Sequence, residues 1–324
     1  MSNDIIGQEN IKKLFLNSLK NDTLGHCYAL EGESGMGKSL MTDYIAQMVV
    51  CENHCACGSC KSCVMAQAGS HPDIEHIVPE DGKKNIGVEA VRSMIADIYV
   101  RPYMSKRKVI IINNFELAMP QAQNAILKVL EEPPEYVLFL LTVSSEKDML
   151  DTVKSRSVML KMQPYTKAEI GRALSEKTSL SKDEIAFSCA YAAGNIGKAL
   201  KIASNEEFTD IRKKSFSAVM ALIDEHRILP LINLTKKENS KNISSILECL
   251  LSFLRDIMLI RIGMEDSVIN RDFAEKLSQA AQKTEPEKLV RAMQDLLETE
   301  NYLRRNINYN LAVSGVLLGS LEEL

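Results

Sequence analysis

The sequence predicts an α/β domain with a parallel sheet and a phosphate-binding loop, then a small helical domain and a larger all-helical domain. Two observations predict this order. Short apolar runs alternate with helical patterns in the first half of the chain, as βαβ units require. Strand patterns then disappear after about Lys161. We therefore expect the three domains at residues 1–164, 165–207 and 208–324.

The elements of the first domain follow from its apolar runs. Cys27–Gly32 is predicted to be a short buried strand, followed by a glycine-rich turn and a helix. Lys108–Asn113 is rich in β-branched residues, as expected for a strand covered on both faces. Tyr136–Ser144 is another buried strand, and the helix before it ends at a Pro-Pro pair. In the last domain, apolar residues recur at helical spacing over residues 243–262.

The composition indicates a globular cytoplasmic protein without a general affinity for nucleic acid. Of the 324 residues, 45% are apolar and 25% charged, which suits two or three domains. The net charge of −4 provides no positive field, so DNA contact has to come from a local patch or from partner subunits. The sequence shows no signal-peptide pattern and no run of 18 apolar residues, so we expect no membrane contact.

A phosphate-binding loop is the most specific motif of the first domain. The segment Gly32–Ser39 fits the pattern G-x-x-x-x-G-K-[ST] without a mismatch, between a predicted strand and a predicted helix. Its backbone N–H groups are expected to surround a β-phosphate at the positive end of the helix. The lysine would contact the β- and γ-phosphates, and the serine would bind Mg²⁺. The residues assigned to nucleotide binding are Gly32, Gly35, Gly37, Lys38 and Ser39.

The acids that ATP hydrolysis requires are absent from the second buried strand. P-loop ATPases hold Mg²⁺ with an Asp at the end of this strand and commonly activate water with a neighbouring Glu. Here the strand ends in Asn113 and Asn114, which are uncharged. The nearest acid, Glu116, lies three or four residues beyond the expected point. The loop could hold ATP or ADP with reduced affinity, and its occupancy stays open at this point. We expect Mg²⁺ to be weakly bound or not bound, and no hydrolysis.

A cysteine cluster follows the helix of the phosphate loop. Five of the eight cysteines lie between residues 51 and 63 in a chain without an export signal, which favours a structural Zn²⁺ over disulfides. The expected ligands are Cys51, Cys57, Cys60 and Cys63. Cys51 is preferred because it ends a helix, and the alternatives for its position are Cys55, His54 and His71. Four reduced thiols without a metal are the other alternative.

Five segments of the chain are similar to one protein family. They are the opening Ile5–Ser39 with its Gly-Gln pair and His26, the C-x-x-C-x-x-C run followed by Gly69–Asp73, the helix Gln123–Pro134, the motif Thr152–Ser157, and residues 306–321. They resemble the bacterial DNA polymerase III clamp-loader subunits of the gamma/tau and delta-prime group, which are AAA+ proteins. Within these segments the chain departs from the family at Ser157, where the family's Ser-Arg-Cys motif carries Cys.

Within this family, the sequence resembles the delta-prime branch more than the active gamma/tau branch. Active members carry a lid arginine in a Gly-x-x-Arg-x-Ala-Leu stretch. Here residues 194–200 match that stretch, but Gly197 takes the arginine position. Lys198 lies one residue away and would point about 100° aside on a helix. The loss of this arginine and of both acids favours a subunit that does not hydrolyse ATP.

The resemblance also implies roles, partners and a location. It implies an AAA+ P-loop domain with a zinc module, a helical lid, and an all-α collar that assembles with gamma/tau and delta subunits in a hetero-pentamer. That assembly loads the sliding clamp onto primer–template DNA at the replisome, in the cytoplasm. Arg156 would be an arginine finger, supplied in trans to a neighbouring ATP site. Ser144 matches a residue that senses the γ-phosphate. The alternatives are a surface arginine in a salt bridge and an ordinary serine at a strand end.

Two other functions remain open at this point. The chain could be a working ATPase, gamma-like or another AAA+ protein, that uses Glu116; Mg²⁺-dependent turnover by the isolated chain would reveal it. A free-standing nucleotide sensor or DNA-binding protein is disfavoured by the net negative charge and by the lack of a basic, aromatic-rich stripe.

Overall fold

The computed structural model describes residues 5–79, 85–178, 180, 182–204, 206–304 and 309–313. The chain divides into two compact units. The first unit comprises Met1–Lys177 and Ala192–Ala199, and the second comprises Thr178–Tyr191 and Leu200–Leu324.

The first unit contains a parallel sheet of five strands. These are β1 (Cys27–Glu31), β2 (Ile74–Ile77), β3 (Lys108–Ile112), β4 (Val137–Val143) and β5 (Val158–Lys161). Their order is β2-β3-β4-β1-β5, and every neighbouring pair is parallel. All seven residues of β4 and the last four of β3 are buried, so the three predicted strands, β1, β3 and β4, are confirmed. Their carboxyl ends lie at one edge of the sheet, where open α/β sheets bind ligands.

Seven α-helices are described among residues up to Lys177: α1 (Glu9–Lys20), α2 (Lys38–Val50), α3 (Lys61–Gln67), α4 (Val88–Ile98), α5 (Pro120–Glu131), α6 (Asp151–Lys154) and α7 (Lys167–Lys177). Helix α2 packs on β1, β3 and β4. Helices α4 and α5 pack against each other and share a core with Ile110, Ile112 and Phe139 of the sheet. Helix α5 begins at Pro120, where a missing N–H costs nothing, and ends before the predicted Pro-Pro stop.

Every regular element described after β5 is a helix, as the sequence predicts. The helices that follow α7 are α8 (Lys182–Ala192), α9 (Ile196–Ala203), α10 (Glu206–Glu225), α11 (Leu229–Leu234), α12 (Ile243–Arg261), α13 (Ala274–Lys283), α14 (Pro286–Arg304) and α15 (Tyr309–Ala312). Helix α12 confirms the helix predicted at residues 243–262. It packs on α10, α13 and α14 around a core that includes Phe216, Phe253 and Leu277.

A buried polar group fixes the segment between α12 and α13. Asp256 is fully buried, and its carboxylate accepts hydrogen bonds from the backbone amides of Ile269 (3.1 Å) and Asn270 (2.7 Å). The side chain of Asn270 also donates to this carboxylate, at 2.8 Å. A buried carboxylate is tolerated because several donors compensate its loss of water.

The predicted boundaries near residues 164 and 207 remain predictions. Of the segment 306–321, which is similar to the family's last collar helix, all but residues 309–313 lie outside the described residues. No described helix has the length and apolar character needed to cross a membrane.

Candidate functional site

The phosphate loop connects the end of β1 to the start of α2. Gly35 and Gly37 have φ of 90° and 81°, in the left-handed region that glycine adopts without strain. The N–H of Gly32 donates to the carbonyl of Val143 at 3.2 Å, which places the loop beside the end of β4. The five assigned loop residues therefore lie on one turn at the carboxyl edge of the sheet.

Lys38 and Tyr165 hold the loop from within the same unit. Lys38 is 6% exposed, and its Nζ donates to the carbonyls of Gly32 (2.5 Å) and Glu33 (3.2 Å). The hydroxyl of Tyr165 donates to the carbonyl of Met36 at 3.1 Å. Burial lowers the pKa of Lys38, and the negative charges of nearby glutamates partly oppose this shift.

The segment that leads into α9 binds the outside of the loop. The side-chain amide of Asn195 donates to the carbonyl of Ser34 at 2.8 Å. The backbone N–H of Gly197 donates to the carbonyl of Gly35 at 2.9 Å. Five consecutive loop carbonyls, from residues 32 to 36, are thus bound by donors of this chain. The loop amides of Gly35, Gly37, Lys38 and Ser39 donate to no acceptor among the described residues, so they stay free for an anion.

The contact at Gly197 gives a physical reason for the missing lid arginine. A Cβ on Gly197 would lie 2.6 Å from the carbonyl oxygen of Gly35 and 2.7 Å from its Cα. No side chain fits there without moving α9 or the loop. The glycine therefore permits a direct backbone contact at the position where active clamp-loader subunits are expected to carry arginine.

We expect Gly197→Arg to destabilise the chain without giving it hydrolytic activity. The new side chain breaks the hydrogen bond to Gly35, and overpacking of this kind costs about 1–3 kcal/mol. Urea denaturation should show the loss, and Gly197→Ala should show part of it because the Cβ alone causes the clash. Lys201→Arg on the exposed part of α9 is the control. Wild-type stability of both Gly197 variants would contradict the contact.

The end of β3 places uncharged groups where catalytic acids would lie. Asn114 has a left-handed backbone (φ 53°), is exposed, and donates its N–H to Thr142 Oγ1 at 2.8 Å. Glu116 follows on a short 3₁₀ turn and accepts a 2.6 Å hydrogen bond from Ser144 Oγ. Its second carboxylate oxygen is buried and has no hydrogen-bond partner among the described residues. The structure thus joins Ser144 to Glu116, a contact that the sequence did not indicate.

Four cysteine sulfurs come together beside the helix of the loop. The Sγ atoms of Cys51, Cys57, Cys60 and Cys63 all lie within 4.8 Å of one another. Two of these separations are 3.9 Å for Cys57–Cys63 and 4.0 Å for Cys51–Cys60. Four sulfurs at 2.3 Å from a tetrahedral Zn²⁺ would be about 3.8 Å apart, so the cluster fits this ion. Cys55 is exposed and lies outside the group.

Local structure explains why these sulfurs converge. Cys51 ends α2, and Cys60 caps the start of α3 by accepting the N–H of Cys63. The hydroxyl and amide of Ser59, together with the amide of Cys60, lower the pKa of the Cys57 thiol to about 5. Burial, in contrast, raises the pKa of the Cys63 thiol to about 12. Metal ligands have to be thiolates, so Cys57 is ready to coordinate, whereas Cys63 would give up its proton when a metal binds.

Arg156 lies in the turn between α6 and β5 and is one-third exposed (33%). Its guanidinium donates to Glu131 Oε1 at 2.7 Å, to the carbonyl of Thr152 at 2.9 Å and to Ser155 Oγ at 3.2 Å. Ser157, at the family's cysteine position, donates to the carbonyl of Val153 at 2.9 Å. The serine therefore keeps the turn closed without a thiol.

Comparison with known proteins finds two family models and several relatives that match this chain. Residues 7–166 match the family described as DNA polymerase III, delta subunit, and residues 206–320 match the family described as DNA polymerase III, delta subunit, C terminal. The subunit named delta′ of Bacillus subtilis is 27% identical over 93% of this chain and 92% of its own length. This chain belongs to the DNA polymerase III delta-prime family.

Two further relatives each match a little over half of the chain. The Escherichia coli delta′ subunit is 30% identical over 55% of this chain and 54% of its own length. A tau/gamma subunit of Haemophilus influenzae is 29% identical over 57% of this chain but 26% of its own length. The resemblance drawn from the motifs is thereby confirmed at the level of the family.

The structure shows three contacts at the site that the sequence motifs did not reveal. They are the bonds of Asn195 to the loop, of Ser144 to Glu116, and of Arg156 to Glu131. Asn195 lies within the lid stretch, so the motif identified its neighbourhood but not its partner. Each partner is at least 25 positions away in sequence, and without aligned homologues no local pattern connects such residues.

Proposed function

We propose that this chain is a non-hydrolysing clamp-loader subunit that supplies Arg156 to the ATP site of a neighbouring subunit. The observation that carries this proposal is a complete phosphate loop next to a strand end without an acid, where the nearest acid, Glu116, is hydrogen-bonded to Ser144. Asn113 and Asn114 are neutral, and Gly197 is in backbone contact with the loop. A subunit of this kind binds phosphate, and its neighbours provide the hydrolysis.

The proposed partners are gamma/tau and delta subunits in a hetero-pentamer in the cytoplasm. Residues 208–324 would assemble as the collar, and residues 165–207 would act as the lid. The assembly would load the sliding clamp onto primer–template DNA. The net charge of −4 supports DNA binding by the assembly and not by this chain alone, because the other subunits then have to supply the positive surface for DNA.

The proposed ligands are a nucleotide and a structural Zn²⁺. ATP or ADP would bind at the free amides of Gly32–Ser39. Mg²⁺ would bind weakly or not at all, because Asn113 brings no charge to it. Ser144 would contact the γ-phosphate only by exchanging its bond to Glu116. The cluster of four cysteines would hold Zn²⁺ with all four positions filled by protein, which supports a structural role.

Measurements of ATPase rates test this proposal. The isolated chain should show no Mg²⁺-dependent turnover, and a reconstituted loader without it should lose DNA- and clamp-stimulated turnover. The alternative of a working gamma-like ATPase predicts turnover by the isolated chain that Lys38→Ala and Glu116→Gln both abolish. That result would contradict the proposal.

A further inference from the structure

Helix α5 and the turn before β5 meet at a single ion pair. Glu131 is the last residue of α5, and Arg156 lies two residues beyond the end of α6. Helices α5 and α6 pack against each other, so both backbones are fixed where the side chains meet. The Glu131 carboxylate is about half exposed (52%), and the 2.7 Å contact is therefore at the surface of the first unit.

The contacts of Arg156 occupy only part of its guanidinium. Nη1 donates to the carbonyl of Thr152 and to Ser155 Oγ, and Nη2 donates one hydrogen to Glu131. A guanidinium has five N–H donors, so Nε–H and the second hydrogen of Nη2 remain. Neither donates to an acceptor among the described residues. The group is held in place while two of its donors remain available to a phosphate oxygen.

The ion pair with Glu131 can hold the Arg156 side chain in place and still leave its guanidinium able to bind a phosphate. An arginine side chain loses considerable rotamer entropy when it is immobilised. Contacts within the subunit immobilise it before a neighbouring site forms, so that less entropy is lost in the transition state. An ion pair that is partly exposed is also weak, so it does not neutralise the guanidinium towards an incoming γ-phosphate.

We propose that Glu131 is a positioning residue for Arg156, holding its guanidinium in the orientation in which it reaches the neighbouring ATP site. The inference rests on the proposed function of Arg156. Glu131 itself does not contact the nucleotide in this proposal. Its effect on the reaction passes entirely through the arginine.

A double-mutant cycle in the reconstituted loader tests the proposal. Glu131→Ala should lower the stimulated kcat about three- to fivefold, the amount expected from losing one exposed ion pair. The KM for ATP should stay unchanged, since a finger acts on the transition state. Glu131→Asp should recover part of the rate. In the Arg156→Ala background, Glu131→Ala should have no further effect. Glu132→Ala, which removes the exposed neighbouring charge, is the matched control.

The outcomes distinguish a failure of the Arg156 finger from a failure of the positioning role of Glu131. If Arg156→Ala leaves the rate unchanged, the finger itself is wrong and the role of Glu131 falls with it. If Arg156→Ala lowers the rate but Glu131→Ala does not, only the positioning role is overturned. Equal losses from Glu131→Ala in both backgrounds would show that it acts independently of Arg156, and would also overturn the proposal. Gel filtration and thermal melting of each variant confirm that the assembly is intact.

Discussion

Arg156→Ala is expected to lower the DNA- and clamp-stimulated ATPase rate of the reconstituted loader at least tenfold, with the complex intact. An arginine finger supplied in trans raises kcat by about 10³–10⁵ at the site that it enters. The total rate falls less than this if other sites in the assembly keep their own fingers. Arg156→Lys should restore little, because an ammonium is a point charge without the guanidinium's planar fork.

Two controls make the Arg156 result specific. Arg227→Ala removes another exposed arginine that is paired with a glutamate, Glu225, at 2.8 Å, and should leave the rate unchanged. Gel filtration should show the same complex for each variant. An unchanged rate with Arg156→Ala would leave the chain a scaffold, and would make its own hydrolysis the next quantity to measure.

Cys60→Ser is expected to have the largest effect on folding. Structural Zn²⁺ contributes about 10–16 kcal/mol in zinc-finger peptides, which is comparable to the whole stability of a typical domain. The variant should lose close to one equivalent of zinc in elemental analysis and melt at a lower temperature. Serine keeps an oxygen that can accept the N–H of Cys63, so the loss reports the metal and not the helix cap.

Cys55→Ser is the matched control for this experiment. Cys55 lies in the same segment but is exposed and outside the group of four sulfurs, so its replacement should leave the zinc content unchanged. Loss of zinc from both variants would show that the ligand set is different. Full zinc retention by Cys60→Ser would contradict the metal site as a whole.

The parts of the fold that the sequence predicted are those with strong local patterns. Strands β3 and β4 are buried on both faces, so their residues are almost all apolar and easily recognised. Strands β2 and β5 were missed because they are short edge strands in which at least three of four residues are partly or fully exposed. Ile74–Ile77 is half polar, and Val158–Lys161 has only three apolar residues before its lysine, so neither shows a clear strand pattern before it pairs with an inner strand.

The candidate site also contains features that local sequence reveals and features that only the fold reveals. The phosphate loop, Arg156 and the cysteine spacing are local motifs, each defined by the chemistry it performs. The contact between Gly197 and Gly35 depends on two glycines 162 positions apart approaching backbone to backbone. Sequence comparison identified the arginine that is missing at Gly197, but only the fold supplies the steric reason.

The five bound carbonyls of the phosphate loop have a thermodynamic consequence. A loop that takes its curvature only around a phosphate loses backbone freedom at the moment of binding, and this weakens affinity. Here Lys38, Tyr165, Asn195 and Gly197 fix the curvature during folding. An anion then meets a loop that is already curved, and of these groups Lys38 is the one that would exchange its carbonyl contacts for a phosphate oxygen. The heat capacity should therefore differ little between the empty and the occupied forms. Hydrogen-exchange protection should rise only at the amides that bind the anion, those of Gly35, Gly37, Lys38 and Ser39.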